Sequence, residues 1–207
     1  MALPPPPQAR DWDSVRSWRV QVRRGLLAQR LALGPALLAT LGGQVRCNLT
    51  SRIDLQRYAV LGIYWPVRGE IDLRALARAH LDAGGRVVMP AVTEKGAPVE
   101  FRSWTERAPM GRDACNIPVP AERRVLEPDA LLVPLVGFDA QRYRLGYGGG
   151  YYDRTLAAGG RRPFCFGVGF EQARLPSILP QPHDIPMDLI ITEASPGTGA
   201  ATRAEPS

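Results

Sequence analysis

Residues 144–154 read Arg144, Leu145, Gly146, Tyr147, Gly148, Gly149, Gly150, Tyr151, Tyr152, Asp153, Arg154, which puts four glycines, three tyrosines, one carboxylate and two guanidiniums in one short stretch. Glycine lets backbone approach a ligand closely and aims unpaired N–H groups at an anion. Arg144 adds a forked cation suited to phosphate, and Asp153 a carboxylate able to hold a divalent metal. A turn whose glycines only satisfy positive φ, with tyrosines as packing, is the plainer reading. Charge, glycine and aromatic groups together exceed what a turn needs. Arg19 and Arg23 stand one helical turn apart, so both can address one phosphate cluster or form a solvated stripe. Glu70 follows Tyr64 and Trp65 closely. By itself such a glutamate is most often part of a solvated turn, although a carboxylate beside aromatic rings can also receive a planar ligand with donors on its edge. Asp188 is a second metal candidate, since magnesium is commonly held by one or two carboxylates plus phosphates and water. Alternatively, Asp153 supports a helix N-terminus and Asp188 merely begins a strand.

Other chemistries find little support. The chain carries a net charge of +6, yet Lys95 is its only lysine. No Gly-Lys-Ser/Thr run exists, which excludes a Walker A loop, and a lone lysine in a surface turn is a poor Schiff base. Ser51, Ser103 and Ser177 lack the context of a nucleophile elbow. His80 and His183, without a cysteine cluster, make no zinc site; His183 beside Asp184 can orient a loop or move a proton. Cys47, Cys115 and Cys165 are odd in number and form no CxxC, which fits a reducing cytoplasm. No apolar run approaches the roughly 18 residues of a membrane span, and the N-terminus does not read as a secretory signal. A basic chain invites nucleic acid, but aromatic groups concentrated in one loop suit one small ligand better.

These residues need a scaffold. Residues 11–33 read as an amphipathic helix starting near Asp11 or Asp13 and ended by Gly34-Pro35, with Val15, Trp18, Val22, Leu26 and Leu33 on one face at about 100° per residue. Arg16, Arg19, Arg23 and Arg30 fall together beside that face. A second helix occupies part of 36–58. Strands are expected at 59–64, 86–91, 99–104, 130–138, 164–170 and 188–192, with helices at 72–82, capped by Asp72, and from 151 to 158. Strands alternating with helices predict an α/β fold: a single layered domain, Rossmann-like, whose central mixed or mostly parallel sheet is flanked by helices. The expected bounds are a disordered tail at 1–10, the catalytic domain at 11–194 and a disordered tail at 195–207. Ligands in such folds gather beyond the carboxyl ends of strands, where the 146–150 loop should lie.

The segment 144–154 resembles the signature of the 5-formyltetrahydrofolate cyclo-ligase (methenyltetrahydrofolate synthetase) family. The resemblance runs from about Trp18 to Glu193 through further landmarks: the Arg19/Arg23 helix, Ile63 to Asp72, Val88-Met89-Pro90, Phe101 to Trp104, Val133 to Asp139, and His183 to Glu193. It implies an ATP- and Mg2+-dependent ligase that converts 5-formyltetrahydrofolate to 5,10-methenyltetrahydrofolate, ADP and phosphate. By that resemblance Arg19, Arg23, Arg144, Gly146, Tyr147, Gly148, Gly149, Gly150 and Tyr151 hold ATP. Trp65, Glu70, Tyr147, Tyr151 and Tyr152 contact the folate, Arg144 and Tyr152 stand at the reacting end, and Asp153 and Asp188 hold magnesium. The chain departs from the family at Arg19, where lysine is commoner, and at Tyr147 and Gly149, where some relatives have basic residues. Arg142 and Val119 replace a common glycine and a frequent acidic residue. A small-molecule substrate, a cytoplasmic monomer, and no nucleic-acid, membrane or protein partner are expected. The rival readings are a non-catalytic folate- or nucleotide-binding protein of the same fold and a basic nucleic-acid-binding domain.

Overall fold

A computed structural model describes residues 2–8 and 11–195. Helix α1 (Trp12–Ala32) begins where the Asp11 carboxylate accepts the Ser14 N–H at 2.9 Å, and it buries Val15, Trp18, Val22 and Leu26 at helical spacing. Gly34, at φ 73°, turns the chain into α2 (Gly34–Arg52), with Pro35 in its first turn. Then follow β1 (Val60–Gly62), α3 (Arg74–Asp82), β2 (Arg86–Ala91), β3 (Glu100–Trp104), β4 (Met110–Arg112), β5 (Pro118–Pro120), β6 (Ala130–Pro134), β7 (Gly137–Phe138), β8 (Arg144–Leu145), α4 (Tyr151–Ala157), β9 (Phe164–Val168) and β10 (Leu189–Ile191).

The main sheet has the order β10-β9-β6-β1-β2-β3, parallel throughout except for the antiparallel β2–β3 edge. This is the expected mostly parallel α/β sheet. Its strands are apolar on both faces because helices cover both. Leu61, Val87, Met89, Leu132 and Phe166 pack against Val45 and Leu49 of α2 and Leu76 and Ala77 of α3. Their alternates Val60, Val88, Leu131, Val133 and Cys165 pack against Tyr152 and Leu156 of α4. Helix α1 closes a third cluster with Phe138, Leu145 and Leu175.

Three local expectations change. The run 130–138 is not one strand: β6 ends at Pro134, and β7 joins β8 in a separate antiparallel hairpin. Gly137 makes this possible, since a Cβ there would stand 2.7 Å from Leu26 of α1. Asp72 does accept the Arg74 N–H at 3.0 Å, but the cap position of α3 falls at Leu73. The N-terminal segment is not free of the domain either, because Leu3 packs on the α1 cluster and the Pro4 carbonyl accepts Trp18 Nε1 at 3.2 Å. The tail expected from 195 onward lies, after Ser195, outside the described residues. Among the described residues no single helix is long and apolar enough to cross a membrane, and all three cysteines are free.

Candidate active site

A cleft of about 1010 Å³ opens beyond the carboxyl ends of the parallel strands, lined there by Tyr64 and Trp65 after β1, Pro90 and Val92 at the end of β2, and Pro134 closing β6. The 146–150 loop forms its opposite wall, between β8 and α4. Gly148 (φ 97°) and Gly150 (φ 64°, the cap position of α4) adopt left-handed backbone that other residues rarely accept. At Gly149 the limit is space: a Cβ would lie 2.6 Å from the Tyr151 ring.

Arg144 and Asp153 set the base of this loop. Arg144 is only 7% exposed, and its Nη1 and Nη2 donate to the two Asp153 oxygens at 2.8 and 3.1 Å. Asp153 Oδ1 also accepts the Ile185 N–H at 3.1 Å, and the guanidinium lies 5.5 Å over the Tyr152 ring. The forked pair therefore joins β8, α4 and the 178–188 loop. Burial, followed by the Glu70 charge, pushes the Tyr152 hydroxyl well up, so it stays protonated. Arg23 reaches the same loop from α1, donating Nε to the Gly146 carbonyl at 2.7 Å, with its guanidinium beside Gly148. Burial and the neighbouring Arg19 charge lower the Arg23 pKa, although Asp184 opposes the shift. Among the described residues its Nη groups have no hydrogen-bond partner. A partly buried cation in that position favours an incoming anion.

Across the cleft, Tyr147 donates its hydroxyl to Glu70 Oε1 at 2.8 Å, while Oε2 accepts the Val67 N–H at 2.8 Å. Burial raises the Glu70 pKa, and the Val67 and Tyr147 hydrogen bonds with the Arg30 and Arg68 charges hold the rise in check. Burial and the Glu70 charge likewise push the Tyr147 hydroxyl well up. Trp65 is flanked by Arg74, whose guanidinium lies 4.8 Å from the ring centroid. Tyr151 stacks under Arg154 at 5.2 Å and meets Cys115 Sγ at 3.6 Å. The cleft thus gathers Arg19, Arg23, Trp65, Glu70, Arg144, the 146–150 loop, Tyr151, Tyr152 and Asp153 on one surface.

Two expected roles need correction. Arg19 borders the cleft but is 4% exposed and committed elsewhere: Nε to the Ile178 carbonyl (3.1 Å), Nη2 to the Leu179 carbonyl (2.9 Å), and both Nη to Asp184 (3.2 and 2.5 Å). Nearly every donor is spent on holding the 178–184 loop against α1, so Arg19 positions the wall, and among the described residues Arg23 is the member of this pair whose Nη groups stay free. Asp188 does not line the cleft. At the start of β10, its Oδ1 accepts Arg162 (2.9 Å) and its Oδ2 the Cys165 N–H (2.7 Å). Among the described residues no cluster of three or more His, Cys, Asp or Glu forms. A magnesium site shared by Asp153 and Asp188 therefore does not fit: Asp153 is clamped by Arg144, and Asp188 is held by Arg162 and the Cys165 N–H outside the cleft lining. Asp188→Asn is accordingly expected to leave the magnesium-concentration dependence of turnover within about twofold while lowering thermal stability, as loss of a charge-assisted bond to a backbone N–H does. A large rise in the magnesium requirement would restore Asp188 to the site.

Sequence reasoning passed over Tyr64, Arg154 and Arg30 as site residues. Tyr64 and Arg154 line the cleft. Arg154 donates Nη2 to the Gly149 carbonyl, a fold-back that no helical period reveals. Arg30 was visible only as a member of the arginine stripe, yet it is 3% exposed. His183 lies at the outer rim, edge-on to Trp12 with ring centroids 5.3 Å apart.

Comparison with known proteins agrees with this architecture. The chain is 30% identical over 138 residues to the 5-formyltetrahydrofolate cyclo-ligase of Mycolicibacterium smegmatis, covering 62% of this chain and 71% of that one. It is 29% identical over 134 residues to the Escherichia coli protein of that name, covering 62% and 74%. The solved structure of Aquifex aeolicus 5,10-methenyltetrahydrofolate synthetase superposes with a TM-score of 0.74 at 26% identity, over 90% of this chain and 97% of that one. The Mycoplasma pneumoniae synthetase shares the fold with a TM-score of 0.70 at 24% identity, over 84% and 98%. With residues 15–193 matching the 5-formyltetrahydrofolate cyclo-ligase family profile, the chain belongs to that family.

Proposed function

We propose that this enzyme closes 5-formyltetrahydrofolate to 5,10-methenyltetrahydrofolate at the expense of ATP, releasing ADP and phosphate. The observation that carries the reading is the Tyr147–Glu70 contact of 2.8 Å, which brings the glycine loop and the aromatic carboxylate wall to opposite sides of one cleft. A phosphate chain and a reduced pterin would lie side by side there. The loop N–H groups and Arg23 are the natural receivers of the phosphates. Glu70 accepts donors from the amino-pyrimidine edge, with Trp65 beside it and Tyr151 and Tyr152 at the boundary between the two ligands.

The chemistry asks little of side-chain nucleophiles. The N5-formyl oxygen attacks the γ-phosphoryl group and ADP departs. N10 then adds to the activated formyl carbon, and phosphate leaves, carrying away the N10 proton, as the ring closes. Both nucleophiles come from the folate, so the protein contributes alignment and a preorganised electrostatic wall. Arg144 acts by fixing Asp153 and the start of α4, and by presenting its charge beside Tyr152. Because the aspartate pair does not fit a shared ion, no step is assigned to magnesium. The free cysteines accord with a cytoplasmic site of action, and a monomer acting on a small molecule without nucleic acid is the simplest reading.

Purified protein mixed with 5-formyltetrahydrofolate is expected to build up the methenyl absorbance only when ATP is added. Absence of turnover with retained folate binding would instead identify a sequestering protein. Tight oligonucleotide binding that falls steeply with salt would point to nucleic acid.

A further inference from the structure

Arg30 lies in the last turn of α1, outside the cleft lining, and is 3% exposed. Its Nη2 donates to the Leu135 carbonyl, and its guanidinium lies 6.0 Å over the Phe170 ring. Among the described residues its Nη1 has no partner within hydrogen-bond geometry, the Tyr147 hydroxyl being a polar side chain it acts on. Among the described residues it makes no ion pair. Its stem runs beneath Gly69, 3.5 Å from where a Cβ would stand, and Gly69 immediately precedes Glu70. A buried cation without a paired carboxylate is costly, so its placement calls for an electrostatic counterpart. The acidic groups its charge acts on are Glu70, Tyr64 and Tyr147.

We propose that Arg30 is a positioning residue for the folate wall, a buried counter-charge that keeps the Glu70 carboxylate ionised and aligned to receive the amino-pyrimidine edge. The groups around Glu70 are the Val67 N–H, the Tyr64, Tyr147 and Tyr152 hydroxyls, and the Arg30 and Arg68 guanidiniums. Burial holds the Tyr64 and Tyr152 hydroxyls neutral, and Tyr147, 39% exposed, keeps its proton in the bond it donates to Glu70. Arg68 is exposed, 5.6 Å over the Tyr147 ring, so solvent screens its charge. Arg30 is itself out of water, so its charge is screened less than that of Arg68. Without it, desolvation would drive Glu70 toward its neutral form, which has lost acceptor capacity.

This inference rests on Glu70 being the folate carboxylate, and the test separates the two. Steady-state kinetics of the full chain are compared for wild type, Arg30→Met, Arg30→Lys, Glu70→Gln and the double variant Arg30→Met/Glu70→Gln, with folding checked by thermal unfolding. Arg30→Met is expected to raise KM for 5-formyltetrahydrofolate by at least about tenfold, because a Glu70 driven toward its neutral form loses acceptor capacity. KM for ATP should stay within about threefold, and the acid limb of kcat/KM for folate should move to higher pH. Arg30→Lys should bring that limb back toward wild type. In the Glu70→Gln background, Arg30→Met should add less than about threefold, because the two act through one carboxylate. If Arg30→Met does not fold, Arg30→Gln, which keeps a donor for Leu135, is the neutral variant. An unmoved acid limb, or an undiminished penalty in the Glu70→Gln background, would overturn the role of Arg30 alone. An unchanged folate KM in Glu70→Gln would overturn the reading of the wall itself.

Discussion

Arg144→Ala is expected to lower kcat/KM by at least about a hundredfold, the order of loss when a small misplacement disturbs groups aligned for reaction. The expectation is larger than for an exposed arginine because the substitution strikes twice. It takes a cation from the loop base, and it leaves Asp153 facing a partly buried wall with only the Ile185 N–H at 3.1 Å. Breaking a buried pair by removing one partner costs about 3–5 kcal/mol, so thermal unfolding must be measured beside turnover. Arg144→Lys separates the contributions: it keeps the charge but cannot reproduce the two parallel bonds of 2.8 and 3.1 Å. Its stability should fall less than that of the alanine variant, while its activity stays well below wild type. Turnover within a few fold of wild type in folded Arg144→Ala would show that the arginine is peripheral to the chemistry.

Arg19→Met should destabilise the protein by about 3–5 kcal/mol in urea unfolding, because Asp184 is 8% exposed at its side chain and would lose its only guanidinium among the described residues. The carbonyls of Ile178 and Leu179 would lose donors as well. In protein still folded, KM for ATP should change much less than in Arg23→Met, since Arg23 keeps free N–H groups beside the loop. Equal effects on ATP would return Arg19 to the phosphate site. The pair also gives stability a pH signature. Burial raises the Asp184 pKa, but the bonds from Arg19 and the Gln181 N–H outweigh it, and the folded value lies below the ordinary carboxylate range. A depressed carboxylate contributes stability above its unfolded pKa of about 3.9, and that contribution is lost as pH falls through the folded value. Wild type should therefore lose stability more steeply below about pH 4 than Asp184→Asn, in which the titrating group is gone.

The sequence made the elements legible where one physical signal dominated. The period of Val15, Trp18, Val22 and Leu26 gave α1, and Asp11 caps it as a side chain of its type should. The run 86–91 is β2 to the residue, since β-branched groups bounded by Gly84-Gly85 have few other uses. Continuous apolarity misled at 130–138, because a strand that changes sheets stays hydrophobic throughout. The glycine loop carried its meaning in residue type alone: left-handed backbone at Gly148 and Gly150 and the tight fit at Gly149 are demands a sequence can announce.

What no periodicity could decide was the partner of each charge. Arg19 and Arg23 share a helix face, yet one is consumed by Asp184 and two carbonyls while the other turns to Gly146. Asp153 and Asp188 look equivalent as carboxylates, but one is clamped at the cleft wall and the other starts an edge strand. Arg30 and Glu70 are forty residues apart, yet the Arg30 stem lies 3.5 Å from where a Cβ on the adjacent Gly69 would stand. Local composition fixes backbone conformation through short-range sterics and burial. The charge state and free valence of a side chain depend on neighbours brought in from distant sequence, and only the folded chain supplies them.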